Sequence, residues 1–157
     1  IEITALGVPA GVGEPLFDAL DADIAKMLLT IPAVKGVEFG VGFRAAELKG
    51  SENNDAFQMR DAKVAALTNN AGGILGGISS GMPIVARVAV KPTPSIAKRQ
   101  QTVNSAKMED ATIEVKGRHD PCVVPKAVAV AEAAVAIALA DHMIRGGFIP
   151  KVLKERK

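Results

Sequence analysis

The densest chemistry in the chain lies in Gly117-Arg118-His119-Asp120-Pro121-Cys122, which holds a permanent cation, an imidazole, a carboxylate and the only cysteine. Such a set could grip an anion through Arg118 and move a proton through Asp120 or His119. Pro121 locks its own φ and biases Asp120 towards extended backbone, so the carboxylate sits on a stiff turn. A plainer reading uses the same residues: Arg118 and Asp120 form a local ion pair, and Asp120 or a neighbour caps the helix that follows.

Two other stretches carry possible chemistry. Thr68 to Pro83 contains Gly72, Gly73, Gly76, Gly77 and Gly81. Bare backbone of this kind admits a ligand, or equally another backbone at close range. It lacks the Gly-Lys-Ser/Thr ending of a P-loop and the dinucleotide glycine spacing. Lys91-Pro92-Thr93-Pro94-Ser95 is a stiff turn that offers one cation and two hydroxyls to an anion, or simply connects two elements in solvent. Other chemistries lack their residues. His119 and His142 are the only histidines and Cys122 the only thiol, too few for a zinc site, so no metal is expected. His142 falls near a helix end and reads as a satisfied core residue. Cys122 reads as a small buried group. No Gly-x-Ser-x-Gly elbow supports a hydrolase triad.

The elements that must position these groups can be read from periodicity. The chain has 157 residues, 48% hydrophobic and 3% aromatic, with net charge +2. That suits one domain with a sizeable core and excludes disorder. The scarcity of aromatic faces and the mixed charge argue against a nucleic-acid or membrane partner. The longest apolar run, Ala127 to Met143, is interrupted by Glu132 and Asp141, so no run is expected to span a bilayer. A lone cysteine suggests a reducing compartment. The chain has no signal-peptide pattern and opens directly into a strand-like run without Met, which reads as the interior of a longer protein.

Ile1 to Val8 reads as a strand, and Glu14-Pro15 opens an amphipathic helix that stops before Pro32. Its apolar stripe is Leu16, Leu20, Ile24, Met27, Leu28 and Ile31, joined by Phe17. Strands follow over 34–43 and 84–90, with one helical turn over 45–49 and a polar loop over 50–55. No element is assigned from there to Leu67. A polar hairpin pairs 100–104 with 112–116. The last helix, 124–145, is apolar nearly all round and should be buried on several sides. The pattern implies an α+β fold: a layered sandwich with buried helices between antiparallel sheets. No repeat or linker divides it. Residues 1–145 form part of one domain and 146–157 a basic, solvated tail.

The glycine-rich stretch, the Lys91–Ser95 turn and Arg118 to Pro121 could face one cleft suited to a phosphorylated cofactor. At this point the blocks resemble the chorismate synthase family. Gly11-Val12-Gly13-Glu14-Pro15 through Asp21-Ala22-Asp23, Val34-Lys35-Gly36-Val37-Glu38 and Asn70 through Gly81 carry the likeness. So do Lys91-Pro92-Thr93 and Gly117 through Cys122, all in register from Ile3 to Arg145.

The resemblance implies a cytoplasmic lyase of aromatic amino acid biosynthesis. It eliminates phosphate in a 1,4 sense from 5-enolpyruvylshikimate 3-phosphate, requires reduced FMN without net redox change, and assembles as a homotetramer. Carried over by position, Pro32, Ala33, Gly76, Lys91, Pro92, Thr93, Pro94, Ser95 and Arg118 would contact the flavin. Asp120 would be the carboxylate that accepts a proton. Pro94 stands where other members carry Ser, and Asn70 where some carry His. The family's N-terminal half, with its Gly-Glu-Ser-His-Gly motif and arginine-rich substrate loop, has no counterpart here. The expectation is therefore a C-terminal portion, inactive alone. Its competitors are a non-catalytic scaffold or oligomerisation module, and a binding module for another phosphate ligand.

Overall fold

The computed structural model describes residues 1–150. The elements in chain order are β1 (Glu2–Ala5), α1 (Leu20–Leu29), β2 (Val34–Phe39), a 3₁₀ turn (Gly42–Glu47) and α2 (Gly50–Asn53). Then come β3 (Phe57–Arg60), β4 (Lys63–Ala66), β5 (Ile74–Leu75), β6 (Ile78–Ser79) and β7 (Ile84–Val90). The last are β8 (Gln100–Asn104), β9 (Glu109–Ile113) and α3 (Val124–Arg145).

β7 organises the fold. It is β-branched and alternates along its length. Ile84, Ala86 and Val88 are buried, while Arg87 on the opposite face is only half-buried. β1 and β2 flank it in an antiparallel sheet of order β1-β7-β2. The register sets Ile3 opposite Ala86 and Val37 opposite Val88. α1 and α3 cover the inward face. Leu20, Ile24 and Leu28 of α1 meet Ala131, Ala134, Val135, Ala138 and Leu139 of α3 within one core cluster. The small residues of α3 allow close approach to the sheet and to α1.

Among the described residues, Ser79 and His142 are the buried polar groups. His142 is 2% exposed, and its Nε2 lies 3.0 Å from the Asp23 Oδ2 on α1. Arg145 reaches the same carboxylate oxygen at 3.3 Å, and Asp18 and Asp141 at 3.6 and 3.1 Å. The reading of His142 as a satisfied core residue holds, and the carboxylate that satisfies it comes from the other helix.

The α+β expectation and the antiparallel sheets hold, as do the exact limits of β7 and α3. Other boundaries moved. α1 starts at Leu20, because Leu16 and Asp18 sit at φ 69° and 53° and break the helical path. Leu16 and Phe17 are consequently exposed at 84% and 79%, outside the stripe assigned to them. Residues 50–53 of the polar loop form α2, and the unassigned stretch before Leu67 forms the β3–β4 hairpin. The β8–β9 hairpin closes earlier than expected, with Gln100 opposite Ile113.

α3 also departs from expectation. It is buried on one face only, and Val130 and Ile137 on the other are 51% and 58% exposed. Its mean hydropathy reaches 1.8 in an 18-residue window, so by length and composition it is long and apolar enough to cross a membrane, contrary to the expectation from sequence. Its inner stripe and the His142–Asp23 link nevertheless make it a helix of this core. Beyond it, residues 146–150 fold back, with the Ile149 N–H donating to the Met143 carbonyl at 3.1 Å. Residues 151–157, the rest of the expected tail, lie outside the described residues.

The glycine-rich stretch is tied down by backbone contacts. The Val41 N–H donates to the Asn70 carbonyl at 2.8 Å, and the Val85 N–H to the Gly72 carbonyl at 3.1 Å. A Cβ added to Gly72 would collide with the Gly40 backbone. Asp55 secures the same turn by accepting from the Thr68 hydroxyl and the N–H groups of Asn70 and Ala71 at 2.6, 2.7 and 2.8 Å. Partial burial pushes its carboxyl up, but these three donors together outweigh burial and hold it below the ordinary value of 3.8.

Two outcomes follow from this packing. Ile24→Ala deletes a side chain at 0% exposure and should cost about 2–5 kcal/mol in urea unfolding. Asp55 has a lowered folded-state pKa, so its stabilisation is present above 3.8 and is lost as pH falls through the folded value. Asp55→Asn should lower stability at pH 7 by about 1–2 kcal/mol. The gap should close below pH 4, and an equal gap at pH 3 and pH 7 would contradict this role.

Candidate functional site

Two connectors face one another beyond the sheet. The first leaves the end of β7 as Lys91-Pro92-Thr93-Pro94-Ser95. The second runs from β9 into α3 through Gly117 to Pro121. Pro92, Thr93, Ser95, Ile96 and Ala97 form one wall of a cleft of about 410 Å³, and Gly117, His119, Asp120 and Pro121 form the other. The prolines stiffen both walls.

Thr93 brings to this cleft a polar atom that an added acceptor could satisfy. Its Oγ1 is buried and has no hydrogen-bond partner among the described residues. Leaving a hydroxyl so costs about 1–3 kcal/mol, which a bound acceptor would recover. The cleft edge is extended by Pro32-Ala33. Ala33 is held at φ 73°, and its carbonyl accepts the Lys91 N–H at 2.8 Å. A non-glycine residue at positive φ is strained and points to a constrained local role. The Thr93 hydroxyl and the strained Ala33 turn therefore lie at one end of β7, where Lys91 leaves the sheet. An anionic group with several acceptor oxygens fits that donor set.

The plainer reading of Arg118 and Asp120 does not hold. Asp120 pairs with Lys126 in the first turn of α3, not with Arg118. The N-cap of α3 is Val123, without a side-chain cap, so Asp120 does not cap the helix either. Lys126 lies six residues on from Asp120. Its partnership was readable only as a basic residue one turn inside a helix, which is a weak signal. Cys122 is exposed, against the expectation of burial.

Of the residues singled out from sequence, Pro92, Thr93, Ser95 and Asp120 line the cleft, and His119 joins them. Lys91, Ala33 and Pro32 adjoin it through the Lys91–Ala33 hydrogen bond. Pro94 lies between lining residues, and its carbonyl accepts from Gln100 Nε2 at 3.4 Å. Arg118 is exposed on the second wall but is not a lining residue. Gly76 is not brought to the cleft. It turns β5 into β6 at φ 58°, with open space where a side chain would stand.

A family model described as chorismate synthase matches residues 1–144. The chain belongs to the chorismate synthase family. A chorismate synthase of Methanosarcina mazei is 63% identical over 154 residues, covering 98% of this chain and 42% of the relative. One from Archaeoglobus fulgidus is 60% identical over 153 residues, covering 98% and 42%. One from Dehalococcoides mccartyi is 54% identical over 155 residues, covering 99% and 43%. A crystal structure of a chorismate synthase superposes with TM-score 0.73 at 36% identity, over 92% of this chain and 37% of that one. The chain thus spans about 42% of the length of the curated chorismate synthases it matches.

Proposed function

We propose that this chain supplies the flavin-facing wall of a chorismate synthase site and that it is the C-terminal portion of such an enzyme. The reaction of the whole is the loss of phosphate from 5-enolpyruvylshikimate 3-phosphate to give chorismate, a carbon–oxygen lyase activity. The observation that carries the reading is the unpartnered Thr93 hydroxyl at the cleft, beside Lys91 and the strained Ala33.

Reduced FMN, when bound, supplies electron density to the reacting substrate and recovers it, so no net oxidation occurs. Lys91, Thr93 and Ser95 would hold its phosphate or ring edge by charge and hydrogen bonds. Pro92 and Pro94 keep that turn rigid, and Pro32-Ala33 and Arg118 border it. Gly76 would contribute only through backbone that other parts of the assembly bring near. Asp120 is the proton acceptor. It stands on the stiff turn before Pro121, with Lys126 paired to its carboxylate. The open, one-sided cleft implies that the acid groups and the grip on substrate phosphate come from sequence this chain does not contain. The chain alone is therefore inactive. The full enzyme is cytoplasmic and self-associates as a tetramer.

Two measurements test this. Titration of the chain with FMN should give saturable quenching of flavin fluorescence. Thr93→Val should weaken binding about fivefold, one hydrogen bond, and Arg118→Ala about tenfold or more, one charged contact. Absence of flavin affinity would favour a scaffold role, and displacement by other phosphate esters a different ligand. An anaerobic assay with reduced FMN and 5-enolpyruvylshikimate 3-phosphate should show no chorismate. Turnover by this chain alone would falsify the inactivity claim.

A further inference from the structure

His119 lines the cleft but has no part in the flavin contacts or the proton transfer assigned to its neighbours. Its position is set by the connector itself. Gly117 stands at φ 130°, and a Cβ there would lie 3.8 Å from His119 Nε2 and 4.0 Å from its Cε1. The ring therefore folds back along Gly117 as part of the wall. A backbone at that φ favours glycine, which leaves this flank of the ring open. Thr93 and Ser95 stand on the opposite wall of the same 410 Å³ cleft.

The charges around the ring decide what it can meet. Asp120, the next residue, would repel an anion, but its carboxylate is already paired with Lys126. Of the two histidines, His142 is committed to Asp23, while no ion pair among the described residues engages His119. Arg118 precedes it on the same turn, and Lys91 leads into the opposite wall. An exposed imidazole with hydroxyls opposite and cations on both connectors suits a compact group with several acceptor oxygens. An aromatic ring edge would leave most of these donors unused. We infer that His119 is a ligand-binding residue of the cleft, donating a hydrogen bond to a phosphate monoester that Thr93 and Ser95 meet from the other wall. This role rests on the cleft being the site of a phosphorylated ligand. FMN and 5-enolpyruvylshikimate 3-phosphate both carry such a group.

The test follows the ring signals of His119 by proton NMR. The chain has two histidines, His142 is 2% exposed, and loss of one set in His119→Leu assigns the signals. Inorganic phosphate, added at constant pH and ionic strength, should move the His119 signals saturably and leave those of His142 in place. FMN and 5-enolpyruvylshikimate 3-phosphate, titrated separately, identify the source, because the ester that His119 meets moves the same signals. His119→Leu should weaken binding of that ester about tenfold, one charge-assisted hydrogen bond. Riboflavin, which has the flavin ring without the phosphate, should leave the signals in place. Signals unmoved by phosphate and by both esters overturn this role. So does riboflavin moving them as far as FMN, or equal binding of the ester by His119→Leu. A chain that binds no flavin, but whose His119 signals follow phosphate, keeps this role and loses the flavin reading. One that binds FMN, with His119 signals unmoved by phosphate or either ester, does the reverse.

Discussion

The burial of one face of β7 is the constraint on which the rest depends. Ile84, Ala86 and Val88 point inward at 1%, 1% and 5% exposure, and they reach that state only because α1 and α3 lie across them. Their alternation fixes the pleat, and the pleat fixes the register of β1 and β2. It also fixes where the strand ends. Val90 is the last paired residue, and Lys91 leaves the sheet with its N–H already engaged by Ala33. The candidate cleft therefore begins where the core's alternation stops. A slip of one residue in β7 would turn the core outward and move Lys91 to the other face.

The two helices are held to each other by polar as well as apolar contact. Helix faces made largely of alanine and leucine slide easily, since many registers bury similar area. The Asp23–His142 link with Arg145 alongside has only one register in which its partners meet. An imidazole buried without a partner would cost about 1–3 kcal/mol, so the link penalises every other alignment. Asp55 does comparable work at the surface by holding Asn70 and Ala71 against α2. Close contact between Gly40 and Gly72 then becomes possible, which accounts for glycine at those two positions without invoking a ligand.

The site is one-sided in a way that matches the rest of the surface. The cleft has two walls from this chain and is otherwise open. α3 has one covered face and one bare seam, and the apolar face of the β3–β4 ribbon leaves Phe57, Met59 and Val64 62%, 69% and 68% exposed. A two-stranded ribbon in water is only marginally stable by itself. The chain spans about 42% of the length of the M. mazei relative.

Much was legible in the residues themselves. β7 and α3 were placed to the residue because each carries a long, unbroken period with turn signals at both ends. His142 was recognisable as a core group, and the turns at Lys91 and Arg118 as candidates for chemistry, since charge, hydroxyl and proline coincide there. What tertiary structure alone decided lies where distant segments compete for one group. Asp120 took Lys126 in place of Arg118, Asp23 took His142 across 119 positions, and Leu16 with Phe17 left the helix for an exposed turn. Periodicity describes one element against an average environment. It contains no term for the partner that arrives from elsewhere in the chain, and α1 and the sheet cover only one face of α3.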